Sequence, residues 1–144
     1  MIPGRRGLLT ALIASPLLLG CARPMICAPG TGSAITLYTL YFGQSVPGRG
    51  PVTDAEWQGF LAASVTPNLP DGYTVWNAGG AWMNPKTLTT ISESTKVLAA
   101  ALPTGDGGTG DGGLAAVNRV RAAYQTTFHQ QSVGMTAEPV CGSF

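Results

Sequence analysis

Residues 93–102 read Glu93-Ser94-Thr95-Lys96-Val97-Leu98-Ala99-Ala100-Ala101-Leu102, and the state of this one segment sets the fold. Its three alanines suit a helix or a strand equally. Its length and the proline that closes it, Pro103, favour a strand.

Working outward, each flank alternates between the two periodicities. ITLYTLYFG, Ile35 to Gly43, is rich in β-branched and aromatic residues and ends on glycine, as a strand does. After the loop SVPGRGP, Thr53-Asp54-Ala55-Glu56 matches the capping box, in which the Thr hydroxyl and the Glu carboxylate each satisfy a free backbone amide. Trp57, Phe60, Leu61 and Val65 then recur at helical spacing, and the helix must stop before Pro67. TPNLPDG is turn chemistry. YTVWNAGGAW reads as a second strand, with Gly79-Gly80 predicting a bulge or bend. Beyond the central segment, Leu114, Val117, Val120, Tyr124 and Phe128 give a second helix its apolar stripe. SVGMTAEPVCGSF alternates at Val133, Met135 and Ala137 as a last strand ending near Cys141. The order β-α-β-β-α-β predicts an α+β, ferredoxin-like fold: a four-stranded antiparallel sheet with two helices on one face.

The chain has 144 residues, enough for one such domain. It opens MIPGRRGLLTALIASPLLLGC. Arg5 and Arg6 form a positive start, and the apolar run from Gly7 to Gly20 is too short to span about 30 Å of hydrocarbon, so residues 1–20 read as an export signal. Leu18-Leu19-Gly20-Cys21 resembles a bacterial lipobox, which implies cleavage after Gly20 and a lipid on Cys21. Ala22 behind the cysteine favours the outer membrane, facing the periplasm, in a host with two membranes. Residues 21–33, Pro/Gly/Ser-rich, read as a tether, leaving 34–144 as the folded domain.

With the leader removed, Arg5 and Arg6 go and six basic residues face seven acidic ones, a balance near −1. No basic face emerges, which argues against nucleic acid as a partner. The three cysteines then divide: Cys21 takes the lipid, and Cys27 and Cys141 remain as a pair in an oxidising compartment. In the predicted topology the end of the last strand lies beside the start of the first, so a Cys27–Cys141 disulfide is expected. There is no CxxC motif and a single histidine, His129, which excludes a zinc site built on Cys and His spacing. No metal and no cofactor are expected.

Several motifs invite chemistry. GDGGTGDGG, Gly105 to Gly113, contains the G-x-G-x-x-G spacing of a dinucleotide loop, but no acidic residue follows at the distance a ribose needs. Two carboxylates are too few for a calcium loop. A flexible hinge between the third strand and the second helix is the better reading. Glu93 and Lys96 fall on opposite faces of a strand, whereas Ser94 and Lys96 share one, so these two are candidate ligand contacts. His129 suits a helix end. Trp57 belongs to the core, while Trp76 or Trp82, on or just after an edge strand, is a candidate for binding, with Trp82 the expected ligand or partner contact.

LYFGQS, PVTDAEW, TPNLPDGYTVWNAGGAW, ESTKVL and the terminal PVCGSF, as an ordered set, resemble the DUF3574 family of bacterial secreted or lipid-anchored proteins. The resemblance runs from about Leu37 to Phe144. It implies a domain but no chemistry. The expectation is therefore a lipid-anchored, non-catalytic binding or interaction module of the cell envelope. It would meet a membrane through its anchor, and a protein partner or a second copy through the uncovered sheet face. The alternative is a small ferredoxin-like enzyme that uses this face as a pocket.

Overall fold

The computed structural model describes residues 26–104 and 111–143. Its elements are β1 (Ser33–Gly43), α1 (Asp54–Phe60) continued by a π-helical turn (Leu61–Val65), β2 (Thr74–Met83), β3 (Thr90–Pro103), α2 (Asp111–Phe128) and β4 (Gly134–Gly142). The strands form one antiparallel sheet in the order β2-β3-β1-β4, which is the predicted α+β, ferredoxin-like arrangement.

The decisive segment lies wholly inside β3, paired with β1 from Thr95 onward and with β2 as far as Ala99. Its alanines sit in a strand because the segment is laddered to its neighbours along its edges while one of its faces is covered by the helices. Leu98, Ala100 and Leu102 enter the core beneath the helices, while Val97, Ala99 and Ala101 line the opposite face. A central strand of this kind reads as a continuous apolar run rather than an alternation.

Both helices cover one face. Tyr38, Leu40 and Phe42 of β1 and Leu98, Ala100 and Leu102 of β3 pack against Trp57, Phe60, Leu61 and Val65, and against Val117, Val120, Tyr124 and Phe128 of α2. Phe42 is the centre, with the rings of Trp57, Phe60 and Tyr124 at 5.3, 6.0 and 4.8 Å, all edge-to-face; such pairs contribute beyond the area they bury. The capping box forms as read: the Glu56 amide donates to Thr53 Oγ1 at 3.3 Å and the Thr53 amide donates to Glu56 Oε2 at 2.8 Å. The helix closes with the Thr66 amide on the Leu61 carbonyl at 2.9 Å, one residue before Pro67.

Cys27 and Cys141 are joined by a disulfide, with Cα atoms 5.6 Å apart. Just after Cys27, the Thr31 amide and hydroxyl both bond the Ala28 carbonyl, so the chain is fastened to the sheet ahead of β1.

Two local readings are corrected. Gly79 and Gly80 make no bulge; they pair in unbroken register with Ser94 and Glu93. Nothing crowds the backbone there, so the glycines remove side chains without disturbing the ladder. The last residues of GDGGTGDGG are not hinge, because α2 already begins at Asp111. A Cβ on Gly113 would come within 3.2 Å of Leu102 Cβ, so this glycine lets the first turn of α2 lie against the end of β3. The hinge proper, 105–110, lies outside the described residues, as do the leader 1–20 and Cys21.

Candidate functional site

Strand alternation decides what the uncovered face carries. Tyr41 pairs with Val97, and Val97 with Trp76, so these three side chains stand in one row across β1, β3 and β2. Val97 is only 3% exposed although no helix lies over it, while Tyr41 and Trp76 are 42% and 46% exposed. Flanking aromatic residues at cross-strand positions account for that burial. Four and six residues further along β3 on the same face, Glu93 pairs with Gly80 and Ile91 with Trp82.

At this end of the face lies a cavity of about 610 Å³, walled by Tyr41, Trp82, Ile91 and Glu93 of the sheet and by His129 to Ser132 of the segment after α2. Glu93 is its fixed polar group. Its Oε1 accepts the Ser45 amide at 2.9 Å, and its carboxylate lies over Gly43, where a Cβ would come within 2.8 Å of Oε1. With Gly80 opposite on β2, Glu93 has a glycine on each neighbouring strand and room to lie across the sheet. Neither ion pair among the described residues involves Glu93.

His129 enters the cavity wall by a backbone device. It has φ 53°, and the Gln130 amide closes on the Gln125 carbonyl at 3.1 Å, a helix-ending motif whose left-handed position is usually glycine. The expected helix-end role is thus met by main-chain geometry, and the imidazole is left exposed. Gln130 then donates from Nε2 to the Ser45 carbonyl, tying this segment to the same loop that holds Glu93.

Beneath the cavity a polar chain is buried in the core. Gln44, 3% exposed, donates from Nε2 to the Phe42 carbonyl and to the Tyr124 hydroxyl, each at 2.9 Å, and Tyr124 donates to the Gly43 carbonyl at 2.8 Å. Burial pushes the Tyr124 phenol well above its ordinary range. Gln44 Oε1 is buried without a partner among the described residues.

Of the candidate contacts, Ser94 and Lys96 share one face and line one cavity, as expected, but Trp82 is not brought to them. Trp82, 50% exposed, stands on the open face. Ser94 and Lys96 stand on the helix side, where Lys96 Nζ is held by Asp54 Oδ1 at 2.7 Å and Asn77 Oδ1 at 2.8 Å. That lysine pins the start of α1 to β2 and β3. The structure instead joins Trp82 to Glu93, His129 and Tyr41. Tyr41 was legible by parity, since Leu40 and Phe42 beside it are core; the meeting of Glu93 with His129 was not, because it depends on how α2 returns to the sheet. No group of three or more metal-ligating side chains occurs among the described residues. No described helix is long and apolar enough to cross a membrane.

The fold has solved counterparts. A phage SAM lyase in complex with S-methyl-5'-thioadenosine superposes with a TM-score of 0.58 at 12% identity, over 75% of this chain and 83% of the other. Its apo form gives 0.55 at 12%, over 81% and 87%. CutA from Synechococcus elongatus gives 0.48 at 10%, over 78% and 87%. At 12% identity the likeness to the two lyase structures is one of fold. No curated protein matches the chain. Residues 37–144 match the model described as protein of unknown function (DUF3574), and the chain belongs to that family.

Proposed function

We propose that this is a non-catalytic binding module, exported and lipid-anchored through Cys21 in the bacterial cell envelope, that takes a small molecule on the open face of its sheet. The cavity between Trp82, Tyr41 and Glu93 carries the reading: it is concave, has aromatic rings in its wall, and holds a fixed carboxylate, as ligand sites commonly pair apolar walls with a few placed polar groups. The Cys27–Cys141 disulfide supports export, since such bonds persist in oxidising compartments. The protein should be purified from its host, denatured, and searched for a released small molecule by mass spectrometry. Wild type should release one and Trp82→Ala should not. Equal release from both, or none from either, overturns the reading, as does self-association that covers this face.

A second reading, a small enzyme, is favoured by one observation: Glu93 and His129, a carboxylate and an imidazole, line the same cavity. A molecule recovered intact after long incubation supports binding. Its conversion, lost in both Glu93→Gln and His129→Ala, would make the cavity an active site.

A further inference from the structure

We propose that the cavity holds an organic cation, a small molecule with an ammonium or sulfonium group, placed between the Glu93 carboxylate and the rings of Trp82 and Tyr41. The inference rests on the open face being the binding surface and adds the charge of what binds there.

Three observations carry it. Glu93 is held in place, by the Ser45 amide on Oε1 and by its seat over Gly43, yet Oε2 makes no hydrogen bond among the described residues. Among the described residues no lysine or arginine lines the cavity and Glu93 joins neither ion pair, so apart from the Ser45 amide its carboxylate has no bonded partner, and the His129 imidazole shares the cavity without bonding it. The walls beside it are the half-exposed aromatics Trp82 and Tyr41. A positive group over an aromatic face is attracted by the ring's negative face, and a neighbouring carboxylate adds direct charge complementarity. Gly80, opposite Glu93 on β2, leaves the space between carboxylate and indole open. A metal ion is the poorer occupant, since it would find one carboxylate where several oxygen ligands are needed. At about 610 Å³ the cavity takes a metabolite-sized cation.

The test compares choline with 3,3-dimethylbutan-1-ol, its uncharged carbon isostere, by ligand-observed NMR on the purified domain. Choline should bind at least roughly fivefold more tightly than the isostere, as a cation–π contact implies. Glu93→Gln, which keeps size and folding, should weaken choline roughly tenfold and leave the isostere unchanged. Trp82→Ala should weaken both. Melting curves identify any variant that has lost its fold, and Tyr41→Leu then serves as the second aromatic truncation. Equal binding of choline and isostere, binding of neither, or an unaffected Glu93→Gln overturns the cation. A neutral molecule co-purifying with wild type but not with Trp82→Ala would leave the binding module standing while removing its charge preference.

Discussion

The carboxylate of Glu93 lies over Gly43 so closely that a Cβ at residue 43 would come within 2.8 Å of Oε1 and 3.1 Å of Cδ. One residue on β1 thus sets the position of the acidic group on β3. It does so by lacking a side chain, a requirement met by glycine alone.

Gly43→Ala tests that relationship. The added methyl must move the carboxylate off the Ser45 amide, so affinity for a ligand of the cavity should fall about tenfold, the worth of one lost hydrogen bond. The clash falls on the far end of a flexible side chain, so the stability cost in denaturant unfolding should be no more than that of the lost hydrogen bond, about 1 kcal/mol. Unchanged binding would show that the seat of Glu93 is incidental.

The Cys27–Cys141 bridge spans 114 residues. The oxidised domain should carry no free thiol from this pair, and Cys27→Ser with Cys141→Ser should lose about 2–4 kcal/mol by equilibrium unfolding. Little change would show that the segment before β1 adds nothing to the folded state.

Acid stability should follow Glu56. Its hydrogen bonds from the Thr53 amide, the Thr53 hydroxyl and Arg49 hold its carboxyl below the ordinary value of 4.5. The folded state therefore favours the charged form. Its contribution is present above 4.5 and is lost as pH falls through the lower folded-state value. Melting temperature measured from pH 6 downward should drop across that window in wild type and less in Glu56→Gln. Parallel curves would remove the capping box as the acid-sensitive element.

Tyr124→Phe should destabilise by about 1–3 kcal/mol, because Gln44 Nε2 and the Gly43 carbonyl both lose a buried partner. In wild type, burial disfavours the phenolate, so in an ultraviolet titration this residue should stay protonated beyond the ordinary range of a phenol. Ionisation of Tyr124 within that ordinary range would contradict the buried chain.

For the address, Cys21→Ser should move the protein from the membrane fraction of its host to the soluble fraction. Wild type and variant that fractionate alike as soluble proteins would remove the lipid anchor.

By itself the sequence determined the element order, because periodicity and punctuation are local. The Thr53–Glu56 box, the stripes through Trp57 and Tyr124, and the parity of β1 each lie within a few turns of chain, and together they imply the β2-β3-β1-β4 sheet and the meeting of Cys27 with Cys141. The tertiary structure alone decided the site. Whether Lys96 is a contact or a strut depends on Asp54 and Asn77, which reach it from other elements. Glu93 becomes a fixed acid only because Gly43 and Ser45 of a neighbouring strand and loop hold it. His129 faces the same space only because the left-handed turn after α2 folds back onto that loop. Helix and strand signals repeat over a few residues and survive in one dimension; a cavity is made where distant segments converge, and nothing in the spacing along the chain encodes that convergence.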